Sequence, residues 1–163
     1  MTDGAEPTDV HVVFDLPQDE DGWPPARSER LWAIPVTPGQ VMLDSIPFFV
    51  RGSALGDVVV TEVDAEGVVW VTETVEFSGN CTIRVIPFAE GELADDRQAV
   101  LDAFAPLGVE GEGIEQFGLV ALNVPPSADV AGAKRLLLRG QADGWWDYEE
   151  GCVTEAWQAL DPA

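Results

Sequence analysis

The order of predicted elements after residue 80 constrains the fold of this chain more than any other feature. Runs of β-branched and apolar residues predict strands, and apolar residues three or four positions apart predict helices. The resulting order is β-α-β-β-α-β, the ferredoxin-like motif, in which two helices cover one face of a four-stranded antiparallel sheet. The six predicted elements are a strand at residues 82–87, a helix between a cap at Asp95 and a stop at Gly108, strands at 108–114 and 119–124, a helix between a cap at Ser127 and a stop at Gly140, and a strand at 145–149.

The first half of the chain is rich in predicted strands. Two β-rich runs, at residues 57–63 and 68–77, flank a short turn that contains Gly67, and together they predict a hairpin. Alternation along the second run predicts one side that faces the core. The members of that side are Val69, Val71, Val75 and Phe77.

These patterns predict an α+β protein in which a strand-rich N-terminal lobe packs on a ferredoxin-like lobe with an antiparallel sheet. A small barrel is one arrangement that the N-terminal lobe could take. The predicted segments are a frayed N-terminus at residues 1–9, a β-rich lobe at 10–79, a ferredoxin-like lobe at 80–153, and a C-terminal tail at 154–163.

The net charge limits the partners that this chain can bind. The 163 residues include 30 acids and 8 bases, which gives a formal charge of −22. The charge is evenly spread, because residues 1–88 and residues 89–163 each hold 15 acids and 4 bases. Such a surface repels phosphate backbones and anionic membranes, so we expect no direct nucleic-acid partner and no membrane partner. It attracts basic proteins, although the charge alone would also keep the protein soluble.

The sequence favours a cytoplasmic location. It contains no stretch of about 20 apolar residues that could span a bilayer. Its first residues are acidic and lack the basic start and apolar core of a signal peptide. Two cysteines in a cytoplasmic chain are expected to be free thiols.

Several segments together resemble a bacterial family, the domain of unknown function family 4265. The resemblance spans roughly residues 9–153 and implies no particular activity, because the function of the family is unknown. More distantly, the second lobe is similar in topology and charge to acidic ferredoxin-like proteins that inhibit a bacterial ribonuclease. The segments that carry the family resemblance are Asp-Gly-Trp-Pro-Pro at residues 21–25, Glu-Arg-Leu-Trp-Ala at 29–33, Ile-Pro-Phe-Phe at 46–49, Gly-Asp-Val-Val at 56–59, and Ser-Gly-Asn-Cys-Thr-Ile-Arg-Val at 78–85.

Tryptophans and one arginine are the candidate binding residues. Exposed Trp beside acids suits an interface whose partner supplies Arg or Lys, whereas Trp that packs between the lobes would be structural. Arg84 is a lone base in an apolar strand. It would either clamp a ligand carboxylate or pair with an internal acid. The Trp candidates are Trp23, Trp70, Trp145 and Trp146.

Cys81 and Cys152 are the candidate redox residues. In a ferredoxin-like lobe the first and last strands are antiparallel neighbours, so Cys81, which opens the first, would lie near Cys152, which closes the last. The pair would form a switchable disulfide or a soft-metal site, or would consist of two buried apolar thiols. One His and two Cys without a C-x-x-C spacing do not support zinc, and we predict no metal and no cofactor.

No motif in the sequence predicts catalysis. The chain lacks a nucleophile elbow and a P-loop, and its single histidine, His11, lies in a predicted strand. We therefore expect a non-enzymatic acidic binding protein, acting as an antagonist, immunity protein or regulatory partner of a basic protein. One alternative is a small enzyme or ligand sensor with a cleft between the lobes. In that cleft Arg84, His11 and Cys81 would supply the polar groups, and Trp70 or Trp32 a wall. A third possibility is a subunit of a larger assembly.

Overall fold

A computed structural model describes residues 9–94 and 96–160 of the chain. Most of the predicted frayed segment, the predicted helix cap Asp95 and the last three residues of the predicted tail lie outside the described residues. The chain divides between Ser78 and Gly79 into two compact units, which we call the barrel unit and the sheet unit.

The barrel unit is a closed barrel of five strands that follow one another in chain order. Successive strands pair antiparallel, and the barrel closes where β1 and β5 run parallel, with Val13 opposite Trp70. The barrel confirms the strand-rich N-terminal part predicted from the sequence. Its strands are β1 (Val10–Asp15), β2 (Ser28–Thr37), β3 (Gln40–Leu43), β4 (Val58–Val63) and β5 (Val69–Glu76).

Strand alternation fills the barrel with apolar side chains. Residues of one parity point inward and are buried, while their neighbours face outward. The most buried apolar residues of the barrel unit are Val12, Leu31, Ala33, Leu43, Val50, Ala54 and Val59.

The predicted core side of β5 is wrong in its second half. Val75 is exposed, and Phe77, just beyond the strand, is 67% exposed. The register of β4 and β5 shifts between Val60 and Thr61 and again between Val58 and Val59, which indicates two β-bulges. The first shift inserts an extra residue before Val75 and turns its side chain to the other face. Phe77 lies beyond the end of β5, where strand alternation no longer applies.

The sheet unit is a four-stranded antiparallel sheet in the order β7-β8-β6-β9. This arrangement confirms the predicted α+β class and the ferredoxin-like order of elements. A core of buried apolar residues lies between the sheet and the helices. The elements are β6 (Cys81–Pro87), α1 (Arg97–Phe104), β7 (Glu110–Ile114), β8 (Leu119–Val124), α2 (Val130–Ala142), β9 (Trp146–Cys152) and α3 (Glu155–Gln158), with single 3₁₀ turns at Ala105–Leu107 and Glu115–Phe117.

The second helix begins and ends later than predicted. Its N-cap is Asp129, whose carboxylate accepts a hydrogen bond of 3.0 Å from the Gly132 N–H, in place of the predicted cap Ser127. The predicted stop Gly140 lies inside α2 and is buried. A Cβ at Gly140 would overlap the Trp146 indole. Glycine is therefore present at this position to make room for Trp146, and it does not end the helix.

The predicted C-terminal tail contains a short helix, α3, that belongs to the core of the sheet unit. Trp157 in α3 is fully buried, and its indole N–H donates a hydrogen bond to the Glu150 carboxylate. Lys134 donates to the carbonyls of Trp157 and Leu160 at 2.8 Å and 3.2 Å. None of the helices in the described parts of the chain has the length and apolar character that a bilayer crossing requires.

Candidate functional site

A cavity of about 290 Å³ opens at the end of β1 in the barrel unit. We call it the barrel cavity. Its inner surface is apolar and buried, formed by Phe14, Leu16, Pro24, Phe49 and Val50. Its exposed rim consists of Asp15, Pro17 and Arg51.

A buried carboxylate holds one wall of the barrel cavity in place. Glu29 on β2 is 9% exposed, and it accepts hydrogen bonds from the backbone N–H groups of Phe48, Phe49 and Val50 at 2.7, 2.9 and 3.0 Å. Hydrogen bonds to a charged acceptor are about twice as strong as neutral ones. The segment that carries Phe49 and Val50 is therefore fixed before any ligand arrives.

An acidic loop, residues 17–25, lies beside the barrel cavity and folds back on itself. The Asp19 carboxylate accepts hydrogen bonds from the N–H groups of Asp21 and Trp23 at 2.9 and 3.0 Å. The Gln18 side chain donates to the Pro24 carbonyl at 3.0 Å. Trp23, a predicted binding residue, is half-buried and packs edge-on against Phe49, with ring centroids 5.9 Å apart.

The hairpin of β4 and β5 forms an acidic surface that also exposes apolar side chains. We call residues 58–77 the acidic hairpin. Five exposed acids share it with three exposed apolar residues. The acids are Glu62, Asp64, Glu66, Glu73 and Glu76, and the apolar residues are Val63, Val75 and Phe77.

The predicted binding residue Trp70 lies on the acidic hairpin, where it is half-buried. Its indole N–H donates a hydrogen bond of 2.8 Å to the Asp64 carboxylate. This bond, followed by the backbone N–H of Val68, lowers the pKa of Asp64 below its ordinary value of 3.8. Trp70 thus keeps a neighbouring negative charge in place at the tip of the hairpin.

The most exposed tryptophan of the described chain is Trp32, which the sequence suggested only as a wall of a ligand cleft. It is 47% exposed and stacks on His11 across β1 and β2, with ring centroids 3.7 Å apart. The sequence of β2 offers two apolar alternations, Leu31 with Ala33 and Trp32 with Ile34. In the structure the set of Leu31 and Ala33 points inward, and both residues are buried on the same side as Glu29.

Arg84 is buried on the face of the sheet that the helices leave uncovered. It is 1% exposed, and its guanidinium donates to the Glu149 carboxylate on β9 at 3.1 Å. A Cβ at Gly151 would overlap the guanidinium, so glycine there makes room for it. Of the two roles that the sequence left open for Arg84, the structure shows the internal ion pair.

The two thiols lie on neighbouring strands but on opposite faces of the sheet. Cys81 points into the core under the helices, whereas Cys152 pairs with Thr82, whose side chain takes the other face. A bulge at the end of β9 turns Cys152 to that side. Neither Cys81 nor Cys152 is part of a disulfide. Their positions disfavour a bond between them, because a disulfide needs Cβ atoms that face each other.

A second cavity, of about 340 Å³, lies in the sheet unit beside Cys81. It is mostly apolar, and Thr154 supplies a hydroxyl 3.9 Å from the Cys81 sulfur. Arg84 does not reach it, because alternation along β6 places Cys81 and Arg84 on opposite faces. Two of the polar groups proposed for a small enzyme therefore do not converge. The apolar lining includes Val124, Pro125, Pro126, Val130 and Leu160.

The structure brings Trp145 and Trp146 together but gives them different surroundings. Trp146 is fully buried, and its indole N–H donates to the Leu137 carbonyl at 3.0 Å, so this predicted binding residue is not available to a partner. Trp145 is half-buried, and the Arg139 guanidinium lies 5.7 Å from the centre of its ring. Within residues 9–94 and 96–160, no three His, Cys, Asp or Glu side chains are grouped so that they could hold a metal ion.

A family model described as domain of unknown function DUF4265 matches residues 29–148, which are 120 of the 163 residues. The chain belongs to this family. The match confirms the resemblance drawn from the sequence. Four of the segments that carried it lie inside the matched DUF4265 region, and the segment at residues 21–25 precedes that region.

One solved structure shares the fold of this DUF4265 chain. It is a crystal structure of a hypothetical protein from Neisseria gonorrhoeae, with a TM-score of 0.73 and 19% sequence identity. The alignment covers 91% of this chain and 98% of that one. No curated protein is significantly similar to the chain.

Proposed function

We propose that this DUF4265 protein is a non-enzymatic binding protein for a basic protein, acting as an antagonist, immunity protein or regulatory partner. The acidic hairpin is the observation that carries the proposal. Its exposed acids would attract a positively charged partner over several ångströms, and its exposed apolar side chains would add contact area once the partner has docked.

The acidic hairpin lacks any base that could neutralise it locally. No Lys or Arg occurs between Arg51 and Arg84, so β4 and β5 carry acids alone. A field of one sign speeds the association of an oppositely charged protein and weakens as salt is added. We therefore expect the partner to bind faster and more tightly at low salt.

Exposed apolar residues distinguish the acidic hairpin from a charged surface that only keeps the protein in solution. Phe77, just beyond β5, is 67% exposed next to Glu76. Val63 is 66% exposed between Glu62 and Asp64. Aromatic residues are enriched at protein interfaces. The charged residues would keep the chain soluble without any exposed apolar side chains, so solubility does not explain why these are present. The proposal includes a cytoplasmic location, where cysteines outside disulfides, such as the two of this chain, stay reduced.

Two charge-matched variants test the proposal. The first neutralises three acids of the acidic hairpin (Glu62→Gln, Glu73→Gln and Glu76→Gln). The second neutralises three exposed acids of the sheet unit (Asp102→Asn, Glu110→Gln and Glu112→Gln). Each changes the formal charge from −22 to −22 + 3 = −19. Each full-length variant is immobilised and exposed to a lysate of the native host at about 10 mM and about 150 mM salt.

We expect one basic protein to be captured in stoichiometric amount by the native chain and by the sheet-unit variant, and to be lost from the hairpin variant and at the higher salt. Purification of that protein then allows association rates to be compared directly. Equal loss from both variants would show that only total charge matters. Binding that ignores both salt and the hairpin acids would refute the proposal.

A further inference from the structure

The barrel cavity has the size and lining of a site for one large apolar side chain. Its volume of about 290 Å³ lies at the lower limit of small-molecule pockets, which span about 300–1,000 Å³. Phe14, Leu16, Phe49 and Val50 in its inner surface are each less than a tenth exposed. Interface hot spots are typically such pockets, each filled by one anchor residue of the partner.

The cavity wall is rigid before binding. Three backbone hydrogen bonds to the Glu29 carboxylate fix the segment that carries Phe49 and Val50. On the opposite side, the acidic loop is closed by the Asp19 carboxylate and by the contact of Gln18 with Pro24. A preformed pocket loses little conformational entropy when it is filled, which favours binding.

The charges around the cavity indicate the chemistry of its occupant. Exposed acids on the rim and the adjacent loop outnumber the exposed bases near it. The bases are Arg51 on the rim and Arg27, whose carbonyl accepts from the Leu16 N–H. The acids are Asp15, Asp19, Glu20 and Asp21.

The cavity also lies near the acidic hairpin within the barrel unit. β1 and β5 run parallel with Val13 opposite Trp70, so the second half of β5 continues past the level at which β1 ends at Asp15. In addition, the hydroxyls of Ser53 and Thr74 are 3.2 Å apart, which ties the segment after Arg51 to β5. Acids of the loop and of the second half of β5 thus lie towards the same end of the barrel.

We propose that the barrel cavity receives one large apolar side chain from an extended basic segment of the partner, with neighbouring Lys or Arg side chains facing the acidic loop. This inference rests on the proposed function, because it names the part of a basic partner that would be recognised. The anchor supplies specificity, and the surrounding acids supply attraction.

Three blocked pentapeptides serve as probes of the full-length chain. One is Lys-Arg-Phe-Arg-Lys, the second replaces Phe with Ala, and the third is the anchored but acidic Glu-Gln-Phe-Gln-Glu. Affinities are measured by calorimetry at about 10 mM and about 150 mM salt. Binding is located by methyl NMR shifts at Leu16 and Val50.

The cavity itself is tested by Pro17→Trp, which places a large ring at the rim. The matched control is Pro25→Trp, since Pro25 is an exposed proline of the same loop that does not line the cavity. We expect the basic Phe peptide to bind at least about tenfold more tightly than the Ala peptide, as burial of an aromatic ring predicts. This preference and the methyl shifts should vanish in Pro17→Trp and persist in Pro25→Trp.

The other outcomes separate this inference from the proposed function. Equal, salt-sensitive binding of the Phe and Ala peptides would refute the inference that the cavity receives an anchor side chain. The proposed function, binding of a basic protein, would still stand. Equal binding of the acidic and basic Phe peptides would overturn the basic occupant. If no peptide binds the native chain, the cavity is not the recognition site. The hairpin variants then judge the proposed function alone, since they change no cavity residue.

Discussion

In the barrel unit the buried charges are carboxylates held by backbone N–H groups, whereas in the sheet unit the most deeply buried charge is a guanidinium paired with a carboxylate. Asp57 repeats the pattern of Glu29, because its two oxygens accept from the N–H groups of Ala54 and Ser78 at 3.0 and 2.9 Å. Arg84 depends instead on Glu149. A chain with 30 acids and 8 bases has few cations to bury with its acids, and backbone donors take their place.

The largest effect is expected from Glu29→Ala in the barrel unit. This change leaves the N–H groups of Phe48, Phe49 and Val50 without the acceptor they now share. An unsatisfied buried donor costs about 1–3 kcal/mol, so we expect the free energy of unfolding to fall by about 3 kcal/mol or more. Urea unfolding measures the loss, and hydrogen exchange at the three amides locates it.

The exposed Glu62→Ala is the matched control for that loss. It should change the free energy of unfolding by less than about 0.5 kcal/mol, as surface substitutions usually do. Glu29→Ala could instead prove as stable as the control, with unchanged hydrogen exchange at Phe48–Val50. The three hydrogen bonds to Glu29 would then contribute nothing to the stability of the barrel unit.

A smaller loss is expected from Arg84→Met in the sheet unit. Removing one member of a buried ion pair costs about 3–5 kcal/mol when both members are buried. Glu149 is 29% exposed and can be hydrated once its partner is gone, so we expect a loss at or below the lower end of that range. Urea unfolding of Arg84→Met, Glu149→Leu and the double variant gives the coupling between the two residues.

The double variant sharpens the comparison of the two units. If the pair is replaceable by apolar packing, the double variant should be more stable than Arg84→Met alone. Strictly additive losses would mean that Arg84 is stabilised by its other surroundings and not by Glu149.

The prediction of the class and order of elements from the sequence was accurate because it rests on periodicity. Helical spacing after residue 96 and β-branched runs elsewhere gave the order of the sheet unit, and the structure confirms the antiparallel sheet. Irregular features such as β-bulges were not predicted, since they change the face on which a side chain lies without leaving a pattern in the sequence. The register shift between Val60 and Thr61 reversed the predicted side of Val75, and β5 ends before Phe77.

The candidate site was predicted less well, because its residues are set by tertiary contacts. The charge and pairing of Arg84 could be anticipated, but its partner Glu149 lies 65 residues away. Glu29 looks like any exposed strand acid in the sequence, and nothing there indicates that it accepts three backbone hydrogen bonds. Trp146 looked like an interface residue until Gly140, predicted as a helix stop, proved to make room for its indole.

The smallest effect is a shift in one titration. Tyr148 in β9 is the only tyrosine of the chain, so its ionisation can be followed alone by absorbance. Burial, reinforced by the negative charges of Glu150 and Asp147, raises the pKa of its phenol above 10.0. We expect a midpoint above 10.0 in the native protein and near the ordinary value of about 10 in denaturant.

This raised pKa makes the stability of the fold depend on pH in the alkaline range. Because the pKa is higher in the folded protein, the contribution is fully present below the unfolded value near pH 10 and is lost as the pH rises through the folded value. Tyr148→Phe should remove that alkaline loss. A native midpoint at or below 10.0 would show that neither burial nor the acids of β9 raise the pKa of the phenol.

The central position of β6 has a consequence for synthesis of the chain. Strands of the barrel unit pair with their neighbours in sequence, so each can close soon after it leaves the ribosome. β6 lies between β8 and β9. It stays unpaired until these two strands, some 40 to 65 residues later in the chain, have been synthesised. Its residues from Cys81 to Val85 are all buried in the finished fold. During translation that strand would be exposed to other nascent chains, and mutual repulsion among acid-rich copies would keep them apart while it waits for its partners.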